Sequence, residues 1–140
     1  MTYQVLYFTR SGNSKRVAQK IAAKLSTDAI EITDNMNWKG PFGFIKGGMY
    51  ASRNKTVKIE IKQDFADTGE LVLVTPLWAG KIAPAINTFL RNKDLDRIHL
   101  VVTSGGSLLN ARSGYKSVTD VVKKNHNEDA VITDLVNKLL

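Results

Sequence analysis

Apolar residues along this 140-residue chain occur in two patterns, short continuous runs and helical spacing, and the two patterns alternate. Residues 3–8, 71–74 and 98–103 are β-branched, aromatic or aliphatic at nearly every position. Such runs predict strands that are buried on both faces. A further short strand is predicted over 29–33. Pro76 is expected to end the strand at 71–74, because proline cannot donate to a strand ladder.

Between these strands, apolar residues recur at the spacing of a helix. Within 14–25 the apolar residues fall on one side, which predicts an amphipathic helix with a basic outer face. That outer face carries three cations spaced four apart: Arg16, Lys20 and Lys24. A second helix is predicted to open near Pro84, which suits a first helical turn, and to carry Ile86, Phe89 and Leu90 inward.

The other segments are less regular. Apolar positions at helical spacing predict a third helix over 115–122. The last part of the chain predicts a short strand at 130–132 and a helix over 135–140, or alternatively one continuous element. Residues 34–70 predict a short helix flanked by turns, and the alternation of apolar and charged residues at 57–61 predicts an edge ribbon.

The order of these elements predicts the fold class. Strands that alternate with helices at this spacing form right-handed βαβ units, which build a parallel sheet covered on both faces by helices. The chain is therefore expected to be a doubly wound α/β protein with one domain over residues 1–140. A chain of this length buries roughly two thirds of its unfolded surface, so it needs neither disulfides nor a metal to hold a core.

Composition narrows the classes of function. The chain has 20 Lys and Arg against 13 Asp and Glu, a net charge of +7, and no cysteine. Disulfide frameworks, thiolate metal sites and cysteine nucleophiles are therefore excluded. Residues 1–60 hold ten of the cations and four of the acids, a net charge of +6. This bias favours an anionic ligand, an acidic partner or nucleic acid.

The sequence also carries expectations about location. No apolar stretch is long enough for a membrane span, and no signal-type leader precedes the first strand. We expect a cytoplasmic protein without membrane insertion.

Three loops are expected to meet at one edge of the sheet, because ligands of open α/β sheets bind beyond the carboxyl ends of the strands. The loop at 9–14 has three hydroxyl side chains, an amide and a glycine before a helix, which fits phosphate binding or, alternatively, a simple N-cap turn. It matches neither a P-loop nor a dinucleotide-binding fingerprint. The loop at 76–81 contains Trp78, which either stacks on a planar ligand or packs as core. The loop at 103–107 is polar and offers backbone groups to a heterocycle.

The motif Thr-Arg-Ser-Gly-Asn-Ser at 9–14 and the motif Pro-Leu-Trp-Ala-Gly at 76–80 together resemble the flavodoxin family. Residues 44–51 and 83–90 also resemble stretches of flavodoxin-like proteins, and the similarity spans about 3–125. The phosphate loop of that family is written Thr/Ser-x-Thr-Gly-x-Thr, and this chain keeps the hydroxyls with serines.

The resemblance implies a three-layer sandwich around a five-stranded parallel sheet of order 2-1-3-4-5, with non-covalent FMN as the cofactor. The FMN phosphate would lie in the first loop and the flavin ring between the other two, with backbone near Ala79 and Gly80 facing flavin N5. The residues expected to bind the cofactor are Thr9, Arg10, Ser11, Gly12, Asn13, Ser14, Pro76, Leu77, Trp78, Ala79, Gly80, Lys81, Thr103, Ser104, Gly105 and Gly106.

The same resemblance implies an electron carrier that cycles FMN between oxidised, semiquinone and hydroquinone states, with the chemistry on the flavin and no catalytic side chain. Its partners would be redox proteins, with acidic surfaces to match this basic chain. An FMN-dependent NAD(P)H:quinone-type reductase is the alternative, and an anion- or nucleic-acid-binding module without flavin is a second one. Flavodoxins are typically acidic, so Lys81 and Arg112 near the flavin predict a less reducing cofactor.

Overall fold

Seven strands form one sheet in the computed structural model, which describes residues 3–140. The strands are β1 (Gln4–Tyr7), β2 (Ala29–Asp34), β3 (Ile59–Ile61), β4 (Leu71–Trp78), β5 (Lys81–Ile82), β6 (Ile98–Ser104) and β7 (Ser117–Val122). Four α-helices accompany them: α1 (Asn13–Lys24), α2 (Gly40–Ser52), α3 (Pro84–Leu90) and α4 (Glu128–Leu139). The predicted helices that begin near residues 14 and 84 are confirmed, and so is a helix within 34–70.

The sheet is mostly parallel, with the order β3-β2-β1-β4-β6-β7. Neighbours from β2 to β7 run parallel, and Val5 of β1 pairs with Ala29 on one side and Val72 on the other. The predicted five-stranded sheet of order 2-1-3-4-5 is not what forms, because two antiparallel strands are added. The edge strand β3 pairs with β2, which confirms the predicted ribbon, and β5 pairs with the end of β4.

Three local predictions are wrong. Residues 117–122, within the helix predicted at 115–122, form strand β7 instead, since Val118 packs on one face of the sheet and Val121 on the other, as alternation in a strand requires. The strand predicted at 130–132 does not form, and the alternative of one continuous element does, because these residues lie within α4, whose buried positions follow helical spacing. Strand β4 does not end at Pro76, because the two residues that follow pair with β5.

Helices cover both faces of the sheet. On one face α1 and α4 pack over Val5, Val72 and Val101. On the other face α3 packs over Leu6, Leu73 and neighbouring side chains. The result is an α/β protein of three layers. No helix in the described residues 3–140 is both long and apolar enough to cross a membrane.

Helix α2 packs on that second face through small residues. Gly43, Gly47 and Ala51, which recur every four positions, are its buried residues. A Cβ on Gly43 would lie 2.1 Å from the carbonyl carbon of Trp38, and one on Gly47 would lie 3.0 Å from the indole of Trp78. The first turn of α2 therefore lies against the backbone of Trp38, where only glycine fits, and its middle lies close against the indole of Trp78.

Candidate functional site

The loop between β1 and α1 presents an open helix N-terminus. Gly12 caps α1 with φ at 96°, a left-handed conformation that favours glycine, and its N–H donates to Oγ1 of Thr9 at 2.9 Å. Among the described residues, no side chain caps this helix. The N–H groups of its first turn therefore keep their capacity to donate to a ligand.

This loop is fixed to the neighbouring strand end. Ser14 is buried, and its Oγ forms a hydrogen bond of 2.9 Å with Oγ1 of Thr103, the penultimate residue of β6. The first and third predicted loops are thereby held at one edge of the sheet. The predicted convergence of these two loops follows from the parallel arrangement of β1, β4 and β6.

A cavity of about 600 Å³ opens in front of this helix N-terminus. Nine of the predicted residues line it: Thr9, Arg10, Ser11, Asn13, Ser14, Pro76, Thr103, Ser104 and Gly105. Hydroxyl groups and backbone amides face a concave space here, which is the chemistry that an anionic group needs.

The far wall of this cavity was missed by sequence reasoning. It consists of the carboxyl end of β7 and the start of α4, namely Val121, Val122, Lys123, His126, Asn127, Glu128, Asp129 and Ala130. Residues 115–122 were expected to be a helix, so no ligand-binding strand end was expected after them. The signal in the sequence was the β-branched content of 117–122, where three valines and a threonine favour a strand.

The rim between α1 and α4 is an ion-pair network. Arg16 donates from Nη2 to Oε1 of Glu128 at 2.7 Å and from Nε to Oε2 at 3.1 Å, while Lys20 Nζ lies 2.6 Å from the same Oε2. Hydrogen bonds from Arg16, together with Lys20, lower the pKa of Glu128 to about 2. Two of the three cations on the basic face of α1 are therefore already paired within the chain.

A second cavity, of about 330 Å³, lies between α2 and the β4–β5 hairpin. The predicted residues Arg10, Leu77, Trp78 and Ala79 line it. They are joined by residues of α2 and the third loop that were not predicted: Gly43, Phe44, Gly47, Gly48 and Ser107. Arg10 lines both cavities, so the two spaces meet at this side chain.

The tip of the hairpin is a tight turn. Ala79 and Gly80 have φ values of 51° and 77°, as a type I′ turn requires at its two central positions. The backbone N–H of Asn110 donates to the carbonyl of Gly80 at 2.9 Å, and a Cβ on Gly80 would lie 2.5 Å from Nδ2 of Asn110. The loop after β6 therefore packs closely on this turn.

Trp78 is half-buried in an aromatic cluster. Its ring meets Phe8 edge-on at a centroid distance of 5.7 Å and Trp38 at 5.1 Å. Gly47 of α2 approaches the indole as well. Part of the indole thus packs against protein and part lines the second cavity, so stacking on a planar ligand stays a prediction.

Two cations near the site are held by contacts within the chain. Arg10 donates from Nε to the carbonyl of Trp38 at 2.7 Å and from Nη2 to that of Gly40 at 3.3 Å, which ties the first loop to α2. Arg112 is held by both carboxylate oxygens of Asp120.

Four predicted residues line neither cavity: Gly12, Gly80, Lys81 and Gly106.

The fold is similar to those of solved flavoproteins. A flavoprotein in complex with FMN from Lactobacillus acidophilus aligns with a TM-score of 0.63 and 18% identity, over 93% of this chain and 97% of that one. Candidate flavoproteins from Bacteroides eggerthii and Bacteroides uniformis align with TM-scores of 0.61 and 0.59, at 18% and 17% identity and the same coverage. No family model and no curated protein matches the sequence. This chain therefore shares the fold of these proteins at low sequence identity.

Proposed function

We propose that this protein binds FMN and transfers electrons between redox partners, as flavodoxins do. The observation that carries the proposal is the uncapped N-terminus of α1, which opens with hydroxyl groups onto the larger cavity. The similarity to a flavoprotein crystallised with FMN supports the same ligand. Bound FMN would accept and release one or two electrons, and the protein would bind and orient it.

The residues present fit the two ends of FMN. The phosphate would be held by backbone N–H groups of the first turn of α1 and by the hydroxyls of Thr9, Ser11 and Ser14. The ring would be held in the second cavity beside Trp78. Arg10 supports this arrangement, since it fixes the distance between the phosphate loop and α2 through its two carbonyl contacts.

Fluorescence titration of the apoprotein with FMN, and separately with riboflavin, tests the proposal. We expect strong quenching by FMN and much weaker binding of riboflavin, which lacks the phosphate. Ser11→Ala should weaken FMN binding about fivefold and leave riboflavin binding unchanged, because it removes one hydrogen bond to the phosphate. Ser52→Ala, at the end of α2, is the matched control. Equal affinity for both flavins, or no quenching by either, would contradict the proposed phosphate site.

A stand-alone reductase is the second candidate. Lys123 on the far wall of the larger cavity favours it, because a cation there suits the phosphates of a pyridine nucleotide. Mixing the FMN-loaded protein with NADPH under anaerobic conditions separates the two candidates. Rapid bleaching of the flavin would indicate a reductase, and bleaching that needs an added reductase would indicate a carrier.

The binding module without flavin has less support. Its candidate surface was the basic face of α1, where Arg16 and Lys20 are paired with Glu128 and Asp129 of α4. An ion-paired side chain has fewer free donors for phosphates of a nucleic acid. Salt-sensitive retention on immobilised DNA would restore this alternative.

A further inference from the structure

Helix α2 carries its large apolar side chains on the outside. Phe42 is 88% exposed, Ile45 66% and Met49 41%. These three residues are spaced i, i+3 and i+7, so they share one face of the helix. The buried residues of α2 are small and lie on the opposite face. The pattern is therefore the reverse of an ordinary amphipathic helix, in which large apolar residues face the core.

The exposed apolar residues are concentrated in this one helix. Within residues 3–140, six large apolar side chains are exposed, and four of them belong to α2: Phe42, Phe44, Ile45 and Met49. Isolated apolar residues on a surface are ordinary, whereas a contiguous patch marks an interaction site. We call Phe42, Ile45 and Met49, which share one face, the α2 patch. Phe44 lies about 200° around the helix from Phe42 and lines the second cavity.

The chain segment that contains α2 carries charge of a single sign. Residues 35–59 contain five cations and no Asp or Glu: Lys39, Lys46, Arg53, Lys55 and Lys58. Lys81 adjoins them, because its Nζ donates to the carbonyl of Ser52 at the end of α2. In the described part of the chain, none of these six cations lies within 4.0 Å of a carboxylate, whereas seven other Lys and Arg side chains do.

We propose that α2 and its flanking cations dock on the surface of an anionic lipid bilayer. The helix would lie in the plane of the interface, with Phe42, Ile45 and Met49 among the headgroups and acyl chains and the lysines against lipid phosphates. Lysine is depleted in protein interfaces relative to the rest of the surface, whereas four of the five cations at 35–59 are lysines. A bilayer of anionic lipids presents negative charge, which is the complement of this cationic segment.

The glycines of α2 make this placement consistent with the fold. Since Gly43 and Gly47 let the helix backbone approach Trp38 and Trp78 closely, docking through the opposite face leaves the packed face intact. The proposed docking does not depend on FMN, so it can be tested with or without the cofactor.

Co-sedimentation of the full chain with vesicles tests the proposal. The vesicles are made of phosphatidylcholine alone or of phosphatidylcholine mixed with phosphatidylglycerol. We expect binding to the anionic vesicles at least about tenfold tighter than to the neutral ones, because apolar insertion and charge attraction must act together. Binding should weaken as salt is raised.

Variants distinguish binding through the α2 patch from nonspecific adsorption to vesicles. The double variant Phe42→Ser, Ile45→Ser and the charge variant Lys55→Gln, Lys58→Gln should each lower binding to anionic vesicles about tenfold. The matched control is Lys138→Gln with Leu140→Ser, which removes one cation and one exposed apolar side chain at the other end of the chain. This control should bind as the unaltered protein does. Circular dichroism of all variants establishes that they are folded.

Several outcomes would overturn the proposal. One is the absence of binding to anionic vesicles by the unaltered protein, and another is equal binding by all variants. A dimer in solution that Phe42→Ser, Ile45→Ser converts to monomer would show that a second copy covers the α2 patch. Saturable binding of an acidic protein, with no vesicle binding, would assign the patch to a protein partner.

Discussion

Helices α1 and α2 have nearly the same length, 12 and 13 residues, but they distribute their side chains in opposite ways. Helix α1 buries Val17 and Ile21 and places its cations outside, where Glu128 and Asp129 pair with two of them. Helix α2 buries glycines and exposes phenylalanine, isoleucine and methionine. An apolar face that packs on the sheet stabilises the fold, whereas an apolar face that points away from it is available for binding.

Substitution of one isoleucine in each helix should give the largest difference in the free energy of unfolding. Ile21→Ala removes a fully buried side chain and should lower the free energy of unfolding by about 3 kcal/mol. Ile45→Ala removes a side chain that is 66% exposed and should change it by no more than about 0.5 kcal/mol. Urea denaturation of both variants measures the difference. Equal losses would contradict the outward orientation of Ile45.

The glycines of α2 should give the next largest effect. Gly43→Ala forces a Cβ into the backbone of Trp38 and should lower stability by about 2 kcal/mol. Gly48→Ala is the matched control, because a Cβ there meets nothing within 4 Å. Alanine also favours a helix, so this control should raise stability by about 0.5 kcal/mol. Thermal unfolding of the two variants checks the close approach of α2, which a neutral Gly43→Ala would refute.

The ion pairs between α1 and α4 should give a smaller, pH-dependent effect. The pKa of Glu128 is lowered from 4.5 to about 2 in the folded protein, so its contribution is fully present above pH 4.5 and is lost as the pH falls towards 2. Glu128→Gln should cost about 1 kcal/mol at neutral pH and much less near pH 2. Denaturation as a function of pH measures this, with the exposed Asp134→Asn as control. A constant difference across the pH range would disagree with the lowered pKa.

The smallest effect is expected at the cation of α2. Lys46 Nζ lies 5.9 Å from the ring centroid of Trp38 and has no carboxylate within 4.0 Å among the described residues. Lys46→Gln should therefore cost less than about 0.5 kcal/mol, with no change between pH 2 and pH 5. Chemical denaturation beside Glu128→Gln is the direct comparison. If Lys46→Gln lowered the free energy of unfolding as much as Glu128→Gln does, the packing of α2 would also depend on charge.

The sequence predicted the elements whose side chains have one clear periodicity. Apolar runs predicted the buried strands at 4–7 and 98–104, and apolar residues at helical spacing predicted the helix at 13–24. In another secondary structure, these segments would expose apolar side chains to water. The phosphate-like loop at 9–14 was predicted from its hydroxyls and glycine, and nine of the 16 predicted site residues line the larger cavity. The local sequence predicts the structure of a segment where the conformational preferences of its residues agree with one another.

Tertiary structure decided what the local pattern left ambiguous. The apolar residues within 115–122 fit the spacing of a helix. The open position beside β6 and the β-branched side chains of 117–122 make that segment a strand instead. This strand brings Lys123 and His126 to the cavity. The side of α2 that packs likewise depends on the tertiary structure, because the indole of Trp78 leaves little room beside Gly47. Burial depends on what a neighbouring element has space for, and that is a property of the assembled fold rather than of the segment.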